Sequence, residues 1–404
     1  MAQRNTLIKY INKDVAQRIM EKAITGTDCL QIIKTTKGDS KMKNKWISLF
    51  LAMVMALTVA GCSSSSSSSD STTHVVNAEA AKANGLETNK IRVAYIPSSG
   101  HVFTFIAEDR GFFAEEGLTV ERVPINASTD AFASLYGGQV DVLLTYGTSG
   151  PLTQLAGGED IDIFGGYMIT GETPIVARPG TGWKGITDLK GKKLGWNKST
   201  YMVNGPMKWA GIDLDKDVKF ISLGTNMEKL EAIKAGEIDY AVISTGHETI
   251  IRDMGLEIVA WTDEIWPNHS CCRMATTGKW LDKNPNAAKA LLRAMLRGQE
   301  VYETEIDYAV KLTAEKLDVT EEYSRTFLTS PHLGLNLDPF KNTVQKVWKT
   351  MLELKLITPA ASINVDDHIN TTLYKEALDE NTKKYPGSSK FYTKMQDIFA
   401  KNNT

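Results

Sequence analysis

From residue 91 onward the chain alternates short apolar strands with helices, and then starts the same alternation again. Residues 91–97 (IRVAYIP) read as a buried strand, 98–100 as a turn, and 102–113 as a helix stopped near Gly111. A second strand alternates over 118–123 (LTVERV), a helix over 130–136 closes on Gly137-Gly138, and a third strand covers 140–145. This order predicts βαβ units, whose parallel sheet is covered by helices on both faces. The restart brings a helical turn at 186–190, strands at 192–196, 218–223, 240–244 and 256–261, and helices at 227–234 and 248–254. Two similar α/β lobes with a cleft between them are expected.

A local echo points the same way. Leu135-Tyr136-Gly137-Gly138-Gln139-Val140-Asp141 parallels Ile233-Lys234-Ala235-Gly236-Glu237-Ile238-Asp239. In each, a helix ends on glycine, a polar residue turns the chain, and an aliphatic-Asp step enters a strand. Glycine suits the left-handed position after a helix, so any helix-to-strand turn shares part of this pattern. After residue 276 strand signals thin out. Segments 286–303, 305–317, 321–327, 340–354 and 372–379 have helical spacing, punctuated by Gly334, Pro339 and Pro359. These helices are expected to pack on the first lobe. The resulting division assigns 91–180 and 277–404 to lobe 1 and 181–276 to lobe 2, with the chain crossing at 177–183 and 273–279.

Ahead of the lobes, Lys43 and Lys45 precede an uncharged apolar run over 46–59, and Val59-Ala60-Gly61-Cys62 follows as a small-residue cleavage site. That layout reads as a secretory signal over 42–61. Its apolar run is shorter than the ~20 residues a spanning helix needs. With cysteine at its end the stretch resembles the lipobox of bacterial lipoproteins, which implies acylation at Cys62. The serines at 63–69 and the polar stretch to about residue 90 read as a flexible tether. Residues 1–41 fit no targeting pattern, whereas Met42 opens a short basic region. A purine-rich string able to encode Lys37-Gly38-Asp39 has the form of a ribosome-binding site, so 1–41 is read as leader ahead of the true start.

Composition narrows the partners. About 310 residues follow the tether, enough for two domains of ordinary size. A formal charge of −2 leaves no basic surplus for a nucleic-acid backbone. Beyond Cys62 the only cysteines are Cys271 and Cys272, so a disulfide framework is not expected. A bond between these neighbours would be strained, because Cα atoms across a trans peptide are ~3.8 Å apart and a disulfide prefers roughly 4.4–6.8 Å. The pair reads as buried small hydrophobes, with a metal site including His269 as the alternative.

The residues then resemble a family. IRVAYIP, followed by Glu108-Asp109-Arg110-Gly111-Phe112-Phe113-Ala114-Glu115-Glu116-Gly117-Leu118-Thr119-Val120-Glu121, is similar to solute-binding proteins of the nitrate/sulfonate/taurine and thiamin-pyrimidine importers. Gly137-Gly138-Gln139-Val140-Asp141 and Ile186-Thr187-Asp188-Leu189-Lys190-Gly191-Lys192-Lys193 match later landmarks, and the resemblance covers nearly the whole chain from residue 91. It implies an α/β, two-lobed periplasmic-binding-protein type II fold that holds a small-molecule solute in the cleft between lobes. It also implies an ABC permease as membrane partner, a bilayer contact through acylated Cys62, an extracytoplasmic monomer, no cofactor and no enzymatic chemistry. The chain likewise carries no P-loop, no GxSxG and no dinucleotide fingerprint.

In open α/β sheets ligands sit beyond the carboxyl ends of strands. That rule selects Ser98, Ser99, Gly100 and His101 after the first strand, and Tyr146, Thr148 and Ser149 after the third. In the second lobe it selects Lys198, Ser199, Thr200 and Tyr201, then Asn226, then Ser244, Thr245 and His247. Helix N-termini in these loops favour an anion, and Ser199 or Thr200 would also serve as an ordinary N-cap. Lys198 reads either as a ligand contact or as a solvated surface lysine. Arg273 reads either as a fork on an anion or as an internal ion pair at the hinge. His247 and His269 read first as structural or exposed.

Three readings follow. The leading one is a small anionic or sulfonated organic solute. The second is a thiamin-precursor pyrimidine or other heterocycle stacked on aromatics among Tyr146, Tyr167, Trp196, Tyr201, Trp261 and Trp266. The third is an extracellular thiol enzyme using Cys271 or Cys272 with His269 or His247, for which spacing alone positions no base beside a thiol.

Overall fold

Residues 77–404, apart from Glu172 and the side chain of Ser99, are described by the structure, a computed structural model, and belong to one unit, Ser71–Thr404. The expected leader, signal, acylated Cys62 and serine run lie outside the described residues. The end of the expected tether does not: Ala78–Ala83 is a helix capped by Asn77, whose N–H donates to the Ala114 carbonyl at 3.0 Å. This segment is therefore part of the first lobe.

In chain order the strands are β1 (Lys90–Tyr95), β2 (Thr119–Pro124), β3 (Val142–Leu143), β4 (Asp162–Gly166), β5 (Met168–Thr170) and β6 (Pro174–Ala177). They continue as β7 (Lys193–Gly195), β8 (Lys219–Phe220), β9 (Tyr240–Val242), β10 (Glu257–Trp261), β11 (Arg273–Thr276) and β12 (Gly334–Leu335). The first sheet runs β2-β1-β3-β11-β4 and the second β10-β6-β9-β7-β8, with a two-stranded ribbon of β12 and β5. Side chains two apart share a face of a strand. Accordingly Ile91 and Val93 enter one core and Ala94 the other, while Ile175 and Ala177 separate from Val176 in the second lobe.

Strand direction decides where the lobes meet. β1 is parallel to β2 and β3, but β11 is antiparallel to both β3 and β4. The carboxyl ends of β1, β3 and β4 therefore share an edge with the start of β11. In the second sheet β7 is parallel to β8 and β9, and β6 is antiparallel to β9 and β10. The start of β6 and the end of β10, paired as Pro174 with Trp261, lie on the edge that carries the carboxyl ends of β7 and β9. The chain crosses between sheets at 167–173 and 262–272, so each sheet turns its carboxyl edge toward the other.

These crossings correct the expected boundaries. β6 belongs to the second sheet although 91–180 was assigned to the first lobe, and β11 belongs to the first although 181–276 was assigned to the second. The reason is that β4, β5 and β6 follow one another with no helix between, so strand–helix alternation does not mark them. The helix expected over 102–113 is also divided, into Val102–Asp109 and Phe112–Glu115, because Gly111 takes φ 71°. The C-terminal helices do share the first lobe's core. Pro285–Thr304 packs along Val102–Asp109, with Gly298 against the Phe103 carbonyl where a Cβ would collide.

The sequence echo is a repeated device. Asp141 exchanges backbone bonds with Arg92 at the start of β1: its N–H donates to the Arg92 carbonyl at 2.8 Å, and its carboxylate accepts the Arg92 N–H at 2.7 Å. Asp239 does the same with Lys193 at the start of β7, at 2.9 and 2.8 Å. In the first lobe the Arg92 guanidinium adds two bonds to the same carboxylate, at 2.9 and 2.7 Å. In the second the corresponding arginine, Arg178, stands 3.9 Å from Asp239 and both are more than a third exposed. Asp141→Ala is expected to cost about 2 kcal/mol, because three donors lose a charged acceptor. Asp239→Ala should cost less, since solvent screens its arginine. Urea denaturation midpoints of the two variants test the order.

Candidate functional site

On the first lobe's carboxyl edge, β1 runs into Ser98 and the turn Ser99–His101. The Ser98 carbonyl accepts the His101 N–H at 3.2 Å, and a Cβ on Gly100 would lie 2.8 Å from the Met168 sulfur, so this turn rests against the first crossing. The side chain of Ser99 lies outside the described residues. His101 is fully buried among Tyr95, Phe105 and Tyr167, and its Nε2 shares a 2.6 Å hydrogen bond with the Thr145 hydroxyl. Burial, with the nearby Arg122 charge, lowers its pKa to about 3, so the imidazole is neutral.

After β3 the chain carries Tyr146, Thr148 and Ser149. The Tyr146 hydroxyl turns inward and donates to the Ile125 carbonyl at 2.8 Å. Thr148 precedes the eight-residue helix Ser149–Ala156, in which Ser149 is the first residue and half-buried. Thr148 reaches the returning crossing instead of solvent: its N–H donates to the Cys271 carbonyl at 2.8 Å and its hydroxyl meets that of Ser270 at 3.0 Å.

Ser270 is the node of the junction. It is buried at φ 58°, a left-handed position that costs a non-glycine residue about 1 kcal/mol or more. Thr148 holds its hydroxyl from the first lobe, and the Tyr201 hydroxyl donates to its carbonyl at 2.5 Å from the second. Tyr201 also meets Trp266 edge-on, with ring centroids 5.7 Å apart, inside a cluster that includes Val347 and Met351 of the first lobe.

On the second lobe's carboxyl edge two loops are stitched together. Asn226 opens the helix Asn226–Ala235, and its amide nitrogen lies 3.3 Å from His247 Nε2 while its oxygen accepts the Ser244 N–H at 3.4 Å. Nε2 thus accepts, and the ring proton sits on Nδ1, 2.9 Å from the Ser244 carbonyl. Thr245 is half-buried beside them. Gly246 faces the first lobe: a Cβ there would be 2.7 Å from the hydroxyl of Tyr323, on a helix that packs against the Ser99–His101 turn.

Other expected contacts are engaged elsewhere. Lys198 is exposed and pairs with Asp215. Ser199 and Thr200 cap no helix, since the next one starts at Asn204. The Ser199 N–H donates to the Asn197 side-chain oxygen and the Thr200 hydroxyl to the Asn197 carbonyl. Arg273 is buried in the first lobe, where its fork donates to the carbonyls of Asp338 at 2.8 Å and Met168 at 3.0 Å. Neither a grip on an anion nor an ion pair across the hinge describes it. It ties the root of the first crossing to β11. Burial lowers its pKa to about 10, which leaves it charged at neutral pH.

Cys272 is buried and Cys271 half-buried, with sulfurs 3.4 Å apart. The hydrogen bond between them draws the Cys271 thiol down and pushes the Cys272 thiol up, and His269 and Arg273 act further on Cys271. Among the described residues no group of three His, Cys, Asp or Glu side chains is placed to hold a metal ion. Trp261 stacks on His332 with centroids 4.2 Å apart, so it too is occupied. Sequence reasoning missed Thr145 and Ser270, which carried no signal beyond proximity to a strand end.

What the edges present, then, is hydroxyls, amide groups and helix N-termini. A profile described as NMT1/THI5 like matches residues 98–304. The bicarbonate-binding protein CmpA of Synechococcus elongatus is 27% identical over 266 residues, which is 55% of this chain and 55% of that protein. The nitrate/nitrite binding protein NrtA of a Nostoc species is 24% identical over 283 residues, 62% of this chain and 63% of that one. This chain therefore spans little more than half the length of the curated relatives it matches. The periplasmic aliphatic sulphonate binding protein SsuA from Escherichia coli aligns with a TM-score of 0.57 at 16% identity, over 67% of this chain and 89% of that structure. The fold is the two-lobed type II periplasmic-binding-protein fold.

The neutral His101 has a consequence for acid stability. Its folded pKa, about 3, lies below the ordinary ~6.5, so between those values the unfolded chain binds the extra proton and stability falls as pH falls. At pH 5 the wild type is expected to lose about 2 kcal/mol relative to pH 7 from this residue alone, at ~1.4 kcal/mol per pH unit. Urea denaturation of wild type and His101→Gln at both pH values measures it; the variant should lack that loss.

Proposed function

The chain belongs to the NMT1/THI5-like family, and from that premise we propose that it is the extracytoplasmic solute-binding component of an ABC importer. Its solute is a small oxyanion or sulfonated organic compound, gripped between the lobes and delivered to a membrane permease. The observation that carries this reading is the pair of facing carboxyl edges, joined by two crossings and lined with hydroxyl and amide groups. The relatives named for binding bicarbonate and nitrate support a small anion as the class. They also support binding over catalysis.

Candidate contacts are Ser98, Ser99, Gly100 and Ser149 from the first lobe and Asn226, Ser244, Thr245 and His247 from the second. His101, Tyr146, Thr148 and Tyr201 shape the site from behind through the bonds described above. A heterocycle draws less support, because Tyr146, Tyr201 and Trp261 spend their polar groups or ring faces inside the protein. Native mass spectrometry of the purified chain, followed by titration calorimetry with nitrate, bicarbonate and methanesulfonate, tests the class. At least one anion should bind; binding of a pyrimidine alone would replace the reading.

Localisation rests on the lipobox-like residues. Among the described residues no helix is long and apolar enough to cross a membrane. We place the chain at the cell membrane through acylated Cys62. Metabolic labelling with a palmitate analogue should mark the wild type and be lost in Cys62→Ser; equal labelling of the two would remove the anchor.

A further inference from the structure

The two cations that an anionic solute was expected to meet, Lys198 and Arg273, are committed to Asp215 and to two carbonyls. A third cation stands on the facing edge of the second lobe. Lys229 leaves the helix Asn226–Ala235 one turn from its start and extends over the carboxyl ends of two neighbouring strands. Its ammonium donates to the carbonyl of Val242, the last residue of β9, at 3.1 Å. It lies 5.3 Å from the ring centroid of Trp196, the residue after β7. We propose that Lys229 is the charge that selects an oxyanion in this site, with the Trp196 ring holding the ammonium in place. This rests on the reading of the chain as an anion-binding importer component.

Three observations support it. Lys229 is half-buried, and it meets one carbonyl and one aromatic face, neither of which carries a formal negative charge. An ammonium has three donors, so the Val242 bond leaves two to spend. A half-buried charge held only by dipoles gains when an anion arrives, because the desolvation already incurred is then offset by Coulomb attraction. Burial moves the lysine's pKa down, the direction an arriving anion would reverse.

The helix itself is a weak source of positive potential here. Glu228 at its third position accepts the Thr225 N–H at 2.9 Å in a capping box, and a carboxylate there offsets the positive end of the dipole. Glu228 and Lys229 leave the helix about 100° apart, so the acid is exposed while the lysine turns in over the sheet. The net positive charge at this loop is thus the ammonium's. Asn226 lies one turn ahead of it, its amide fixed by His247 and by the Ser244 N–H.

The test uses calorimetry on the full chain with nitrate, bicarbonate and methanesulfonate at two ionic strengths. Lys229→Gln keeps a donor for the Val242 carbonyl and removes the charge. It is expected to weaken whichever anion binds the wild type at least tenfold and to flatten the salt dependence of Kd, while Lys229→Arg stays within a few-fold. Unchanged Kd in a folded Lys229→Gln, judged by circular dichroism, overturns the inference and leaves the anion reading standing. Wild type that binds none of the three anions overturns the anion reading, and this inference with it. Should Lys229→Gln fail to fold, a Kd of the wild type that ignores salt sinks the inference equally.

Discussion

Two antiparallel strands, β6 and β11, determine how the two lobes of this protein face each other. A sheet of parallel strands alone releases its chain at the carboxyl edge and takes it back at the amino edge. Reversing one strand per sheet lets the chain leave and return by the same edge. Both crossings then spring from the carboxyl edges, where βα turns expose N–H groups and hydroxyls. Arg273 secures the root of this arrangement. Its fork joins β11 to Met168 at the start of the first crossing and to the Asp338 loop. Replacing it would take the arginine's bond from the Asp338 carbonyl, while the Met168 carbonyl would keep the Cys272 N–H at 2.8 Å.

The junction combines a few polar bonds with an apolar seam. Thr148, Ser270 and Tyr201 form a chain of hydroxyls and carbonyls from one lobe to the other, each link worth on the order of 1 kcal/mol. Beside it, Tyr201 and Trp266 pack with Val344, Val347 and Met351 of the first lobe, and Lys346 lies 4.7 Å from the Trp209 ring. Neither set alone is large compared with a lobe's own core.

How much of this was legible in the residues follows from which signals are local. Period-two strands, glycine stops and the helical spacing after residue 276 depend on neighbours in sequence, and the elements built on them lie close to where they were read. The Asp141 and Asp239 turns were visible as an echo because the same carboxylate device recurs at the start of β1 and of β7. The crossings were not visible. β4, β5 and β6 follow one another with only short breaks and no helix between them, and nothing in such a run says which sheet each piece will join. The partners of the charged candidates were not legible for a related reason: the burial of Arg273 and its bonds to Met168 and Asp338 are set by packing between segments far apart in sequence.

Arg273 and Lys229 also show what separates a structural cation from one available to a solute. Arg273 is fully buried, and the ends of its fork are matched to two carbonyls, that of Asp338 and that of Met168, which also accepts the Cys272 N–H. Turning toward an anion would forfeit both bonds and strip the buried Asp338 carbonyl of this donor, at about 1–3 kcal/mol for that acceptor alone. Lys229 gives up little by comparison, since it holds one carbonyl and a ring face and keeps donors in reserve. Cost and gain therefore point in opposite directions for the two residues. Counting donors already satisfied, more than counting positive charges near a strand end, identifies the cation that a ligand can recruit.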